Sequence, residues 1–309
     1  MVVMLLAALP DTEALIVPAE ATDQHQTTER QRHGRPNVCT MGAYAFQGHR
    51  GAPMRETQAN IERVTRLNAH IQRLHLSIED SLNTIKPGQT VLARRFYGSQ
   101  PEQWQPYLRE HWWPVAVTAK PGHPSEMTVD RPTYPSYDPG QQYTLLGPVG
   151  KPFAYKRTIR QVLMIAHDTM PSPLLMSTEW LLSNKVNTTL VLSGKAVDYP
   201  VSELPKELEV IRSDDKLQWP NRVMTVGWAD QVFVAVGQDD EMGRFKEVLE
   251  LFKALRAEVP KQYIFGVSQL IQPCGVGACQ ACTISLQGGD YALACLDGPA
   301  LDLTALHLP

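Results

Sequence analysis

Four of the five cysteines in this 309-residue chain fall between positions 274 and 295. They are Cys274, Cys279, Cys282 and Cys295, spaced C-x4-C-x2-C-x12-C. This is the ligand spacing of a [2Fe–2S] cluster, whose soft, anionic thiolates come from one tight loop and a fourth from a later segment. Gly275 and Gly277 give the loop backbone angles closed to other residues and let its N–H groups approach the sulfurs. Ala278 and Ala281 keep bulk away from the metal. Two other chemistries use crowded cysteines. Structural zinc is one, but zinc modules pair C-x2-C knuckles and only one such knuckle is present. Disulfides are the other, and they suit exported chains. Here the apolar start, Met1 to Leu9, lacks a basic region before it and runs directly into Pro10, Asp11 and Glu13. Export is not expected, and the chain reads as cytoplasmic.

The rest of the composition narrows the classes further. A hydrophobic content of 43% with 20% charged residues describes a globular protein long enough for two or three cores. The formal net charge of −3 argues against a nucleic-acid partner, which calls for a basic surplus. No apolar run reaches the length of a membrane span.

Residues 1–54 form a candidate disordered extension, because Glu20 to Pro53 is rich in Gln, Thr, Arg and His with no hydrophobic period. Cys39 lies there and reads as a free thiol of no consequence. From Ala59 to Ile78 the apolar residues alternate, Ile61 and Val64 first, then Ile71, Leu74, Leu76 and Ile78, which suits half-buried antiparallel strands. Lys86-Pro87-Gly88-Gln89 is a turn, and Thr90 to Phe96 leads out of it as a strand. Short strands recur at Val115–Thr118, Met127–Val129 and Tyr143–Leu146, after a segment bearing Trp104, Tyr107, Trp112 and Trp113. Residues 55–155 therefore read as a small antiparallel β-barrel.

The pattern then changes. Gln161 to Ala166 is a continuous apolar run, the mark of a strand buried on both faces. Helical spacing over Pro173–Asn184 follows, then apolar runs at Thr189–Leu192, Leu208–Ile211, Val223–Val226 and Gln231–Val236, each expected as a strand. Met242 to Arg256 has the spacing of an amphipathic helix, and Tyr263–Val267 completes the alternation. Residues 156–267 thus read as an α/β domain with a parallel sheet, and 268–309 as a cluster-binding module. The fold class expected is α+β and multidomain.

Three stretches carry a resemblance to a known family. Cys274-Gly275-Val276-Gly277-Ala278-Cys279 is similar to a cluster loop, and Ala294-Cys295-Leu296-Asp297-Gly298-Pro299-Ala300 to the segment that brings a fourth ligand. Leu145-Leu146-Gly147-Pro148-Val149-Gly150 is similar to the turn that joins a flavin domain to a nucleotide domain. Together, and in this order, they resemble the iron–sulfur electron-transfer subunit of two-subunit dihydroorotate dehydrogenase, within the ferredoxin–NADP reductase superfamily. The resemblance implies a [2Fe–2S] cluster on the four cysteines and FAD between barrel and α/β domain. It also implies a catalytic flavoprotein partner that oxidises dihydroorotate in pyrimidine biosynthesis, and hence a hetero-oligomer. Arg109, Gly147 and Gly150 are the flavin-contact candidates, Arg109 as a partner for the diphosphate.

The chain also departs from that family. No Arg-x-aromatic-Ser/Thr occurs near Leu108 to Ala116, where His111, Trp112 and Trp113 offer either a stacking surface or a buried aromatic cluster. The turn after the first parallel strand, Ala166-His167-Asp168-Thr169-Met170-Pro171-Ser172, holds no glycine for close approach to a diphosphate. Gly237-Gln238-Asp239-Asp240 brings acids to the next such turn, repelling phosphate or serving as helix N-terminal acids. His167 and Asp168 read as a loop pair, and no catalytic residue is expected. Two functions follow: an electron-transfer component of an oxidoreductase, or a cluster-bearing structural or regulatory subunit that has lost NAD(H) and flavin binding. A zinc-stabilised interaction module is a third.

Overall fold

The computed structural model describes residues 54–98, 108–119 and 122–309. The expectations for residues 1–53, Cys39 among them, and for Trp104 and Tyr107 lie outside the described residues.

Seven strands build the first half. They are β1 (Arg55–Arg66), β2 (Ile71–Ile78), β3 (Thr90–Phe96), β4 (Glu110–Trp112), β5 (Pro114–Thr118), β6 (Ser125–Pro132) and β7 (Gln142–Val149). Every pairing is antiparallel, in the order β4-β3-β7-β1-β2-β6-β5. The two edge strands, β4 and β5, are separated in the chain by Trp113 alone. A flat sheet would hold its edges apart, so this one must curl. Register shifts in β1, β3 and β5 supply the extra twist that curling needs. The alternating residues anticipated from the sequence face inward: Ile61, Leu74, Leu76, Met127 and Leu145 share one buried cluster.

The second half is an α/β sheet. It contains β8 (Gln161–His167), α1 (Ser172–Ser183), β9 (Asn187–Ser193), β10 (Glu209–Arg212), α2 (Arg222–Trp228), β11 (Gln231–Val236), α3 (Glu241–Leu255) and β12 (Ile264–Val267). These strands pair in parallel in the order β10-β9-β8-β11-β12. The order runs outward in both directions from β8, so the sheet has a switch point between the C-terminal ends of β8 and β11. All six residues of β11 are buried, as its apolar run implies. In α3, Phe245, Val248, Leu249 and Phe252 form the buried stripe, and the Asp240 side chain caps the helix by accepting from the Gly243 N–H.

Val223–Val226 is corrected from strand to helix: it lies in α2. Only Val226 is buried, whereas Val223 and Met224 are 62% and 75% exposed. A four-residue apolar run fits either period, and the packing of Val226 against Phe252 and Tyr263 selects the helix.

The chain ends in a hairpin of β13 (Thr283–Ser285) and β14 (Tyr291–Leu293), then β15 (Ala300–Asp302), which joins the second sheet antiparallel to β12. Among the described residues no helix is long and apolar enough to cross a membrane.

The two sheets are latched by a buried ionic network. Arg73 on β2 grips both oxygens of Asp130 on β6, at 2.7 and 3.0 Å, and donates to the Tyr199 hydroxyl of the α/β half at 2.9 Å. Tyr199 donates in turn to Asp130 at 2.7 Å. Arg73→Ala would leave the Asp130 carboxylate buried without its cation, and a loss of about 3–5 kcal/mol in urea unfolding is expected. A loss below about 1 kcal/mol would mean the pair behaves like a surface ion pair.

Candidate iron–sulfur site

The hairpin β13/β14 decides where the cysteines meet. Cys282 sits just before β13, and its carbonyl accepts the Ala294 N–H at 3.0 Å, which brings Cys295 beside it. Both side chains are buried in one cluster with Leu92 of β3 and Val149 of β7. Cys274 and Cys279 form a second pair, the Cys279 N–H pointing at the Cys274 sulfur 3.5 Å away. Cys274 is half-buried, Cys279 is exposed, and none of the four is in a disulfide. Two pairs of thiols suit two irons, each needing two protein ligands.

The loop backbone tunes these thiols. Burial pushes the Cys274 thiol up, but the N–H groups of Cys279, Val276 and Ala278 outweigh it and bring the thiol down to about 7. At Cys295, burial and the neighbouring Cys282 thiol act together and push it up to about 12. Gly275 and Gly277 both have positive φ, at 67° and 75°. A Cβ on Gly275 would lie 2.9 Å from Leu92 Cδ1, and one on Gly277 would lie 2.4 Å from Leu296 Cδ1. The loop is therefore pressed against the curled sheet on one side and the Cys295 segment on the other.

The three stretches that resemble the dehydrogenase subunit meet at this place. The Gly150 α-carbon packs on Pro299, Lys151 donates its backbone N–H to Gly298 at 2.6 Å, and Val149 touches the Gly275 position. Gly147 packs against Val91. Arg109 lies elsewhere: its guanidinium donates to Glu56 at 2.7 Å and approaches Thr144 at 3.4 Å.

A cleft of about 490 Å³ runs between the sheets, with His111, Trp113, Arg131, Ser172 and Gln269 among its walls. Strand alternation splits the aromatic trio. Trp112 points into the sheet core beside Tyr143, and His111 and Trp113, with ring centroids 5.0 Å apart, face the cleft. His111 Nδ1 and Ser172 Oγ are buried without partners on this cleft, so a flat heterocycle with polar edges, such as a flavin ring, fits there. For the diphosphate, the arginine reaching the cleft is Arg131, and it is held by Glu110 at 2.6 Å and by Tyr137. Arg131 escaped the sequence reading because it stands in no motif, and Ser172, which stood there only in the turn before a helix, is itself the first residue of α1. His167 ends β8 with its Nδ1 facing Ser193 Oγ at 3.0 Å, and Asp168, just beyond the strand, pairs with Arg244.

With this geometry in view, comparison defines the class. The chain has the fold of ferredoxin reductase-like flavoproteins with an iron–sulfur segment at its end. The structure of an NADH-dependent reduced ferredoxin–NADP oxidoreductase matches with a TM-score of 0.60 and 18% identity, over 81% of this chain and 89% of that one. The ferredoxin reductase of carbazole 1,9a-dioxygenase matches at 0.51 and 18%, over 69% of each chain. A flavohem-like FAD/NAD binding domain of nitric oxide dioxygenase from Vibrio cholerae matches at 0.50 and 12%, over 68% of this chain and 98% of that one. Residues 273–307 match the family described as the iron-sulfur cluster binding domain of dihydroorotate dehydrogenase B. The chain thus resembles the electron-transfer subunit of that enzyme. No curated protein matches the sequence as a relative.

His111 gives a test of the cleft. Enclosure first, and the Arg131 charge second, lower its imidazole from 6.5 to about 3. A lowered histidine contributes stability above the unfolded value and loses it on acidification, here from pH 6.5 down towards 3. His111→Gln should flatten part of that acid loss in urea unfolding at stepped pH. Equal losses in both proteins would show that the ring is not enclosed.

Proposed function

We propose that the chain is an electron-transfer subunit in which Cys274, Cys279, Cys282 and Cys295 hold a [2Fe–2S] cluster. It relays electrons to or from a catalytic flavoprotein partner of the dihydroorotate dehydrogenase kind, in the cytoplasm and in pyrimidine biosynthesis. The observation that carries this reading is the grouping of four thiols into two pairs on one loop and one hairpin end. When bound, the cluster supplies one-electron transfer at a potential set by its surroundings.

The chain's own residues set those surroundings. The N–H groups of Val276, Ala278 and Cys279 face the Cys274 sulfur and stabilise its negative charge. Leu92, Val149 and Ile284 keep water from the Cys282–Cys295 side. Cys279 lies at the surface, which leaves one edge of the site open to a partner. The flavin part of the proposal places the ring in the cleft beside His111 and Trp113, with Ser172 as a hydrogen-bonding group. A second reading, a cluster-bearing subunit without flavin, is favoured by Arg109 and Arg131 being already paired with Glu56 and Glu110.

Anaerobically purified protein is expected to be coloured and to carry about two irons and two sulfides per chain. Cys279→Ser and Cys295→Ser should each lose most of the iron and the visible absorption. Unchanged spectra, or colourless protein containing zinc, would end the cluster reading. Flavin released on denaturation supports the first reading, and its absence from cluster-loaded protein supports the second.

A further inference from the structure

In open α/β sheets, ligands bind in the crevice at the switch point, and phosphates are met there by free N–H groups and cations. In this chain three such N–H groups are already taken. The Asp168 N–H donates to the Ser193 carbonyl at 3.0 Å, and the Gly237 N–H to the His167 carbonyl at 3.0 Å. The Lys195 N–H donates to Asp168 Oδ1 at 3.0 Å. Arg244 places one arm on Asp168 and the other on Asp239, the latter at 3.0 Å, while the cations lining the cleft itself are Lys195 and Arg131, the latter held by Glu110.

Asp168 thus receives what a phosphate would receive at the carboxyl end of β8. Its side chain is also wedged against the neighbouring loop, since a Cβ on Gly194 would fall 2.0 Å from Asp168 Oδ1. On the other side of the crevice, the segment leading from β12 to the cysteine loop is bound in. Gln269 donates its amide to the Val236 carbonyl at 2.8 Å, and its carbonyl accepts from the Gln238 side chain at 2.8 Å. The Gln269 N–H and the Ser268 hydroxyl both donate to the buried carboxylate of Glu241, at 2.5 and 2.9 Å.

We infer that Asp168 is a built-in occupant of the anion position, so that the α/β half excludes NAD(H) and grips the arm of the cysteine loop instead. An incoming diphosphate would have to pull Arg244 and the Lys195 N–H away from Asp168 and then sit beside two carboxylates. Electrons therefore enter and leave this chain through other redox proteins, not as hydride from a nicotinamide. The inference is independent of the cluster's identity, because it concerns the opposite end of the arm.

The test is titration of the intact, cluster-loaded protein with NADH and, separately, with inorganic pyrophosphate, followed by calorimetry. The wild-type protein is expected to show no saturable binding of either below about 1 mM. Asp168→Asn combined with Asp239→Asn keeps the side-chain shapes, frees Arg244, and is expected to tighten pyrophosphate binding by roughly tenfold or more. Saturable NADH binding by wild type in the micromolar range would overturn the inference. So would a double variant that keeps its visible spectrum yet binds pyrophosphate no better than wild type. Loss of the spectrum in every sample would instead count against the cluster reading, while the wild-type titrations would still decide this one.

Discussion

Two adjacent carbonyls, Gly298 and Pro299, accept backbone N–H groups from two different sheets. Lys151, just past β7 of the curled sheet, donates to Gly298 at 2.6 Å, and Ser268, just past β12 of the parallel sheet, donates to Pro299 at 2.9 Å. The Asp-Gly-Pro that follows Cys295 is therefore a joint. Gly298 leaves no room for a side chain against Ala294, and the ring of Pro299 packs on Gly150. Cys295 stands three residues from this joint, so its position is set by both sheets at once. The hairpin then carries that position to Cys282, and the loop carries it to Cys274 and Cys279.

The site this joint creates is asymmetric. Burial and the neighbouring Cys282 favour the neutral form of the Cys295 thiol, whereas backbone N–H groups favour the thiolate of Cys274. The same division separates a side sealed by Leu92 and Val149 from a side open at Cys279. Surroundings of this kind, more than the ligands themselves, set the potential and solvent access of an iron–sulfur centre. The latch of Arg73, Asp130 and Tyr199 keeps the sheets, and hence the two halves of the joint, in one arrangement.

Much of the architecture was legible from periodicity. The buried run of β8, the stripe of α3 and the alternation of β1 and β2 follow from side-chain spacing, which survives folding because it reports which face meets the core. Short runs were less legible. Val223–Val226 became helix because one valine packed inward while its neighbours did not. Of the aromatic trio, spacing showed the presence of stacking surface but not its direction. Trp112 and Trp113 are adjacent and face different compartments, and only the pairing of β4 with β3 settles which is which.

By itself, the sequence determined the kind of chemistry: soft thiolate ligands, their number, their spacing, and glycines that let a loop bend around them. It also showed that the glycine-poor turn after β8 departs from a phosphate-binding one. Which thiols pair, which arginines are already engaged, and that Asp168 takes the donors of the switch point were decided only by tertiary structure. Those contacts join residues that are far apart in the chain, such as Asp168 with Arg244 and Lys151 with Gly298. Sheet order sets their distances, and no local pattern records it.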